Sequence, residues 1–134
     1  MERTYIMLKP DALQRGIAGQ IIARIERKGY RITHMKTMQL DEAILREHYA
    51  HIVDKPFFPP TVDYMTSGPV LAMVVEGENV IAGMRTLMGP TRNEDAMPGT
   101  IRGDFASSTT YNVIHGSDSL ETAEIEIKRF FGEV

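Results

Sequence analysis

Three observations in the bare sequence predict an α+β fold. Short strand-like runs alternate with stretches whose apolar residues recur at helical spacing, so that strand, helix, strand occurs twice. Val70-Leu71-Ala72-Met73-Val74-Val75 is apolar throughout, as a central strand covered on both faces would be. No repeat, linker or low-complexity tract interrupts the 134 residues, so 1–134 is expected to form one domain. Two strand–helix–strand units with extra helices give a four-stranded antiparallel sheet of ferredoxin-like topology with helices packed on it.

Thr4 to Lys9 is the first strand, stopped by Pro10. Ile17, Ile21, Ile22 and Ile25 then share a helix face, and Gly29 supplies the stop. A second strand covers Arg31 to Leu40. Asp41 is placed to cap a helix running through Leu45 to about Tyr49. Pro59-Pro60 opens a short helix that Gly68 closes, and the apolar run from Val70 follows. Asn79 is the expected cap of a helix carrying Val80, Ile81, Met84 and Leu87, ended by Gly89-Pro90. From Gly89 to Tyr111 no periodicity is legible, and structureless segments of that length are usually functional or disordered. This one leads directly to His115, where the last strand ends, and is read as functional. The last helix starts near Asp118, with Leu120, Ala123, Ile127 and Phe130 on one face.

Composition excludes several classes of function. The chain has no cysteine, which removes disulfides, thiolate nucleophiles and sulfur-ligated metals, and points to a reducing compartment such as the cytoplasm. A net charge of −3 argues against a stable nucleic-acid complex through bulk electrostatics. No stretch is long and apolar enough to span a bilayer, and the N-terminus runs straight into a strand, leaving no room for a signal peptide. The phosphate-binding patterns GxxxxGK[ST] and GxGxxG are both missing. Any phosphate must therefore be held by side chains.

The octapeptide Asn112-Val113-Ile114-His115-Gly116-Ser117-Asp118-Ser119 carries the most chemistry. It sets an imidazole on rigid backbone just before helix-start residues, whose exposed N–H groups attract anions. Imidazole is the side chain that serves as a phosphoryl acceptor near neutral pH without an activated thiol. Such a ring needs a partner to fix its tautomer, and Glu126 in the final helix could reach back to it, although periodicity alone reads Glu126 as solvated. Lys9, Arg85 and Arg102 are the candidate cations. Lys55-Pro56-Phe57-Phe58-Pro59-Pro60 sets two aromatics on a stiff corner, one for the core and one free to stack on a planar base. His48 and His51 are three apart on a helix, but without a third ligand they do not make a metal site; His34 is read as facing solvent or satisfied in the sheet. The nine methionines are read as core gap-fillers.

With these motifs in order, together with Leu8-Lys9-Pro10-Asp11, Ser67-Gly68-Pro69-Val70 and Pro98-Gly99-Thr100-Ile101-Arg102-Gly103-Asp104-Phe105, the chain resembles a nucleoside diphosphate kinase over essentially its whole length. The resemblance implies a ping-pong exchange in which a nucleoside triphosphate phosphorylates the histidine, which then phosphorylates a nucleoside diphosphate. It implies His115 as the nucleophile and Glu126 on its other ring nitrogen. Lys9, Arg85, Thr91 and Arg102 would grip phosphates, Asn112 with Lys9 would contact the sugar, and Phe57 would stack on the base. Tyr49 and Ser117 would line the site. Mg2+ would arrive bound to the nucleotide, with no dedicated protein metal site. A homo-oligomer is implied, a hexamer ahead of a tetramer. The chain departs from the family pattern at Thr61 and Thr109, where a leucine and a valine usually flank the base, and at Asn93, where many relatives have proline.

Overall fold

β1 (Glu2–Leu8) runs through the interior of the sheet, and its alternation defines both cores. Tyr5 and Met7 point to one face, Ile6 and Leu8 to the other, and all four are fully buried. The computed structural model describes residues 1–134. β2 (Arg31–Met38), β3 (Val70–Gly77) and β4 (Ile114–Gly116) complete a four-stranded sheet in the order β2-β3-β1-β4. Every neighbouring pair is antiparallel. β1 and β2 therefore run parallel, joined by a helical crossover over β3, and β3 and β4 are joined likewise over β1.

One face is covered by α1 (Pro10–Gln14), α2 (Ala18–Arg27), α5 (Val80–Met88) and α6 (Ile101–Phe105). There Ile21, Ile25, Met84, Met88 and Ile101 close over Ile6, Leu8, Met73 and Val75. The other face is covered by α3 (Glu42–His48), α4 (Phe58–Met65) and α7 (Leu120–Phe131), whose Leu45, Met65, Ile127 and Phe130 pack on Tyr5, Met7, Ala72 and Val74. β3 contributes to both cores, as its unbroken apolar run requires. The sheet is thus the ferredoxin-like one expected, with β1 and β3 buried on both sides and the edge strand β2 largely exposed.

Local chemistry sets the boundaries. Pro10 ends β1 because it has no N–H for the ladder, and the same residue opens α1, where no N–H is needed. Asp41 caps α3 by accepting the Ile44 N–H at 3.0 Å, Thr100 caps α6 by accepting that of Gly103 at 2.9 Å, and Ser119 caps α7 by accepting that of Thr122 at 3.1 Å.

Several expectations need correction. β2 stops at Met38 rather than Leu40, and α1 lies between β1 and α2, where none was expected. Asn79 precedes α5 in a left-handed conformation (φ 52°) without capping it; the Glu2 carboxylate accepts the Ile81 N–H at 3.3 Å instead. α4 ends at Met65, before Gly68, and α7 begins at Leu120, which is exposed on the solvent side of the helix. β4 extends one residue past His115. The segment from Gly89 to Tyr111 is not structureless: it contains a turn of 3-10 helix at Asn93–Asp95 and then α6, which is too short for its periodicity to be read.

Candidate active site

β4 pairs with β1 so that His115 lies opposite Met7, and paired residues share a face. The imidazole therefore leaves the sheet on the Tyr5 side, toward α7. Its Nε2 lies 2.9 Å from Oε1 of Glu126, and the Ser117 hydroxyl donates to the same oxygen at 2.6 Å. Glu126 is buried and His115 is partly open to solvent. Burial works against ionising the carboxyl, but the bonds from His115 and Ser117 prevail and hold it below the usual glutamate range. An ionised carboxylate accepts, so the network assigns the ring proton to Nε2 and leaves the lone pair on Nδ1.

The backbone leading into the strand is strained. Val113 has φ 64°, a left-handed conformation unusual for a β-branched residue, and the Ile114 N–H donates to the Asn112 carbonyl at 2.8 Å across it. Such a turn costs ~1–3 kcal/mol and persists where its surroundings enforce it. Here the Val113 carbonyl accepts the Lys9 N–H at 2.8 Å, and the Asn112 side chain accepts the Lys9 ammonium at 2.7 Å. The turn thus ties the end of β1 to the start of β4 and sets Lys9 and Asn112 side by side.

Arg102 is buried, donating to the carbonyls of Ile114 at 2.7 Å and Gly89 at 3.0 Å, and so crosses from α6 to the histidine strand. Arg85, from the last turn of α5, donates to the Gly116 carbonyl at 3.3 Å. Burial, then Arg85, lowers the Arg102 pKa to about 10; burial, then Arg102, lowers that of Lys9 to about 7, against the opposing pull of Asp11. Three mutually repelling cations opposed by the single carboxylate of Asp11 leave an excess of positive charge suited to binding an anion.

Tyr49 follows α3 on the same side of the sheet, its ring edge-on to His48 at 4.8 Å, and burial raises its hydroxyl to about 12. At the proline-stiffened corner, Phe58 is buried while Phe57 is 53% exposed. Thr91 lies exposed in the turn after α5, two residues from the carbonyl that Arg102 holds. The structure therefore bonds His115, Glu126 and Ser117 into one group and Lys9 with Asn112 into a second. Arg85 and Arg102 both donate to carbonyls of the histidine strand. Phe57 and Thr91 stand on the rim and make no side-chain hydrogen bond.

These observations describe a fold and a histidine site, and likeness to known proteins decides the family. A family model described as nucleoside diphosphate kinase matches residues 2–134. The chain belongs to the nucleoside diphosphate kinase family. It is 55% identical over 131 residues to a nucleoside diphosphate kinase of Thermus thermophilus, covering 98% of this chain and 96% of that one. It is 52% identical over 134 residues to one of Symbiobacterium thermophilum, covering 100% and 89%. The solved nucleoside diphosphate kinase of Encephalitozoon cuniculi superposes with a TM-score of 0.96 at 46% identity, over 99% of this chain and 90% of that one. That of Halobacterium salinarum, described in complex with CDP, gives 0.95 at 48%, over 98% and 88%. As a member of the nucleoside diphosphate kinase family the chain is a nucleotide-binding phosphotransferase. No helix is long and apolar enough to cross a membrane.

Sequence reasoning missed four residues around this site. His48 is no partner of His51, which is exposed in a turn past the end of α3; its ring packs on that of His115 at 4.7 Å. A signal was available, since His48 lies three residues after buried Leu45 on one helix face. Arg129 donates to His48 Nδ1 at 2.9 Å. Asp11, buried after Lys9, accepts the Tyr64 hydroxyl and so joins α1 to α4. Neither Arg129 nor this pair had a sequence signal. Ligand atoms of His48, His115 and Glu126 lie within 4.8 Å of one another, but guanidinium and hydroxyl donors already occupy His48 and Glu126.

Proposed function

We propose that the chain moves the terminal phosphate of a nucleoside triphosphate to a nucleoside diphosphate in two half-reactions, with His115 holding it in between. The observation that carries this reading is an imidazole with Nε2 bound to a buried carboxylate and Nδ1 left as a lone pair, beside three cations. Nδ1 attacks the terminal phosphorus, the N–P bond forms, and the bond to the bridging oxygen breaks, releasing the diphosphate. A phosphate oxygen of the second nucleotide then attacks the same phosphorus and the N–P bond breaks. The Nε2 proton stays on the Glu126 bond throughout, so the ring's developing charge is met by the carboxylate.

Lys9, Arg85 and Arg102, with the Thr91 hydroxyl, neutralise and position the phosphates; loss of one such donor removes ~2.7–4 kcal/mol of transition-state stabilisation. Asn112 and Lys9 meet the sugar, Tyr49 lines the site beside His115, and Phe57 offers its exposed face to the base. A stacked ring reads no base edge, which suits broad nucleotide tolerance. Thr61 supports that platform by donating to the Phe57 carbonyl at 2.7 Å. The residues converging on the phosphates are cations and would repel a metal ion, so Mg2+ enters as part of the substrate, bound to the nucleotide. We place the activity in the cytoplasm and in a homo-oligomer, a hexamer ahead of a tetramer; the unpaired outer edge of β2, with Met35 exposed, supports assembly.

Incubation with ATP and Mg2+ is expected to add one acid-labile phosphoryl group to His115, and GDP is expected to discharge it. Absence of the adduct, an equal adduct in His115→Ala, or transfer only when both nucleotides are bound together would overturn the reading.

A further inference from the structure

Behind His115 lies a second arrangement, which does not touch the phosphate-binding cations. Glu126 and Arg129 are three residues apart on α7, a spacing at which a carboxylate and a guanidinium ordinarily pair. They do not pair here. Oε1 of Glu126 is taken by His115 and Ser117, and Oε2 faces Nδ1 of His48 at 3.7 Å. That same Nδ1 accepts the Arg129 guanidinium at 2.9 Å. A guanidinium only donates, so His48 Nδ1 is the acceptor and its ring proton sits on Nε2. The second path for Arg129 leads outward: its Nε lies 3.3 Å from the exposed Glu47 carboxylate, without a hydrogen bond. His48 is buried, wedged between the rings of His115, Tyr49 and Phe130.

We infer that His48 insulates the Glu126 carboxylate from the Arg129 guanidinium, keeping that carboxylate's charge for His115. A carboxylate shared with a permanent cation pulls less on the Nε2 proton and stabilises less positive charge on the ring as Nδ1 bonds to phosphorus. The insulator must be neutral, because a protonated His48 would itself pair with Glu126. Burial, then the neighbouring His115, lowers the His48 pKa to about 3, so it is neutral at any working pH. His48 is a positioning residue, acting through Arg129 and Glu126 rather than on the nucleotide.

The inference rests on phosphoryl transfer through His115, and the test separates the two. In His48→Leu the guanidinium loses its acceptor and turns to Glu126. Phosphorylation of His115 by ATP is then expected to slow by about tenfold, a fraction of the ~10²–10⁴ that a positioned acid–base partner supplies. KM for the nucleotide should hold. Adding Arg129→Met removes the intruding cation and should restore the rate to within about twofold of wild type, the scatter of independent substitutions. His48→Gln, whose amide oxygen can accept the guanidinium, should match wild type. Should His48→Leu fail to fold, His48→Ala, which leaves the guanidinium room to swing, is read against the same Arg129→Met background.

The same proteins are treated with diethyl pyrocarbonate and the adduct on His115 followed by mass spectrometry, a reaction that needs no nucleotide. It should slow in His48→Leu and recover in the double variant. If ATP leaves wild-type His115 unmodified, the functional reading fails while this arm still tests insulation. Insulation is overturned if the single variant reacts as wild type in both assays, or if the double variant is no faster than the single.

Discussion

Lys9 is half-buried with its ammonium on Asn112 and the Arg102 charge nearby, and its pKa is lowered to about 7. Above that pH the free site loses the ammonium, and a polyphosphate bound there, as proposed, would restore it. Nucleotide binding at pH 8 is therefore expected to take up a proton, read by calorimetry in buffers of different ionisation enthalpy, and Lys9→Arg should abolish the uptake because its guanidinium stays charged. Gly116 makes a different demand. A Cβ there would lie 2.6 Å from Met88 Sδ and 3.1 Å from Ile6 Cδ1, both in the fully buried core. Gly116→Val should lower stability by about 1–3 kcal/mol through overpacking and lower activity by displacing the adjacent imidazole; unchanged thermal unfolding would refute it. At this scale the sequence was informative where few side chains can do the chemistry, as at His115, one of four histidines. It was silent where chemistry depends on a neighbour distant in the chain, as with Arg129 against His48.

Among the elements, the long connection between α5 and β4 was the least legible. Its turns are held by hydrogen bonds between residues with no common periodicity, and α6 is five residues long, too short for an amphipathic pattern. Asn93 and Thr109, expected from the resemblance to depart from the family pattern, meet there. The Asn93 N–H donates to the Thr109 hydroxyl at 2.9 Å, so a residue that has an N–H where proline has none faces one that has an acceptor where valine has none. Thr109→Val is expected to orphan that N–H and lower the local opening free energy by about 0.5–1.5 kcal/mol, seen as faster hydrogen exchange at Asn93. Adding Asn93→Pro should recover the protection of the surrounding segment, since position 93 opens its helical turn, where proline fits. A double variant as labile as Thr109→Val would mean the two sites are independent. The central strands and the long helices, by contrast, were legible because burial on both faces imposes continuous apolar runs on β1 and β3, and burial on one face imposes helical spacing on α2 and α7.

For the whole molecule, the site makes stability depend on acid. His48 is neutral when folded down to about pH 3 but takes a proton in the unfolded chain at its ordinary value near 6.5. The unfolded state therefore binds more protons between these limits, and stability present above pH 6.5 is lost progressively as pH falls toward 3. Glu126, held below the usual carboxylate range, contributes in the same direction at lower pH. Denaturant midpoints measured from pH 7 to pH 4 should fall, and His48→Gln should flatten the upper part of that slope. A variant as acid-sensitive as wild type would place the titrating group elsewhere.

The three-residue strand that displays His115 has a consequence for how such a chain tolerates change in length. Side chains on a strand point alternately to opposite sides, so deleting Ile114 would move His115 to the position opposite Leu8, swinging the imidazole away from α7 and into the packed Met88 layer. The same deletion at exposed Thr110, which makes no hydrogen bond, would only shorten a loop. Loss of one residue should therefore be tolerated at Thr110 and ruinous at Ile114.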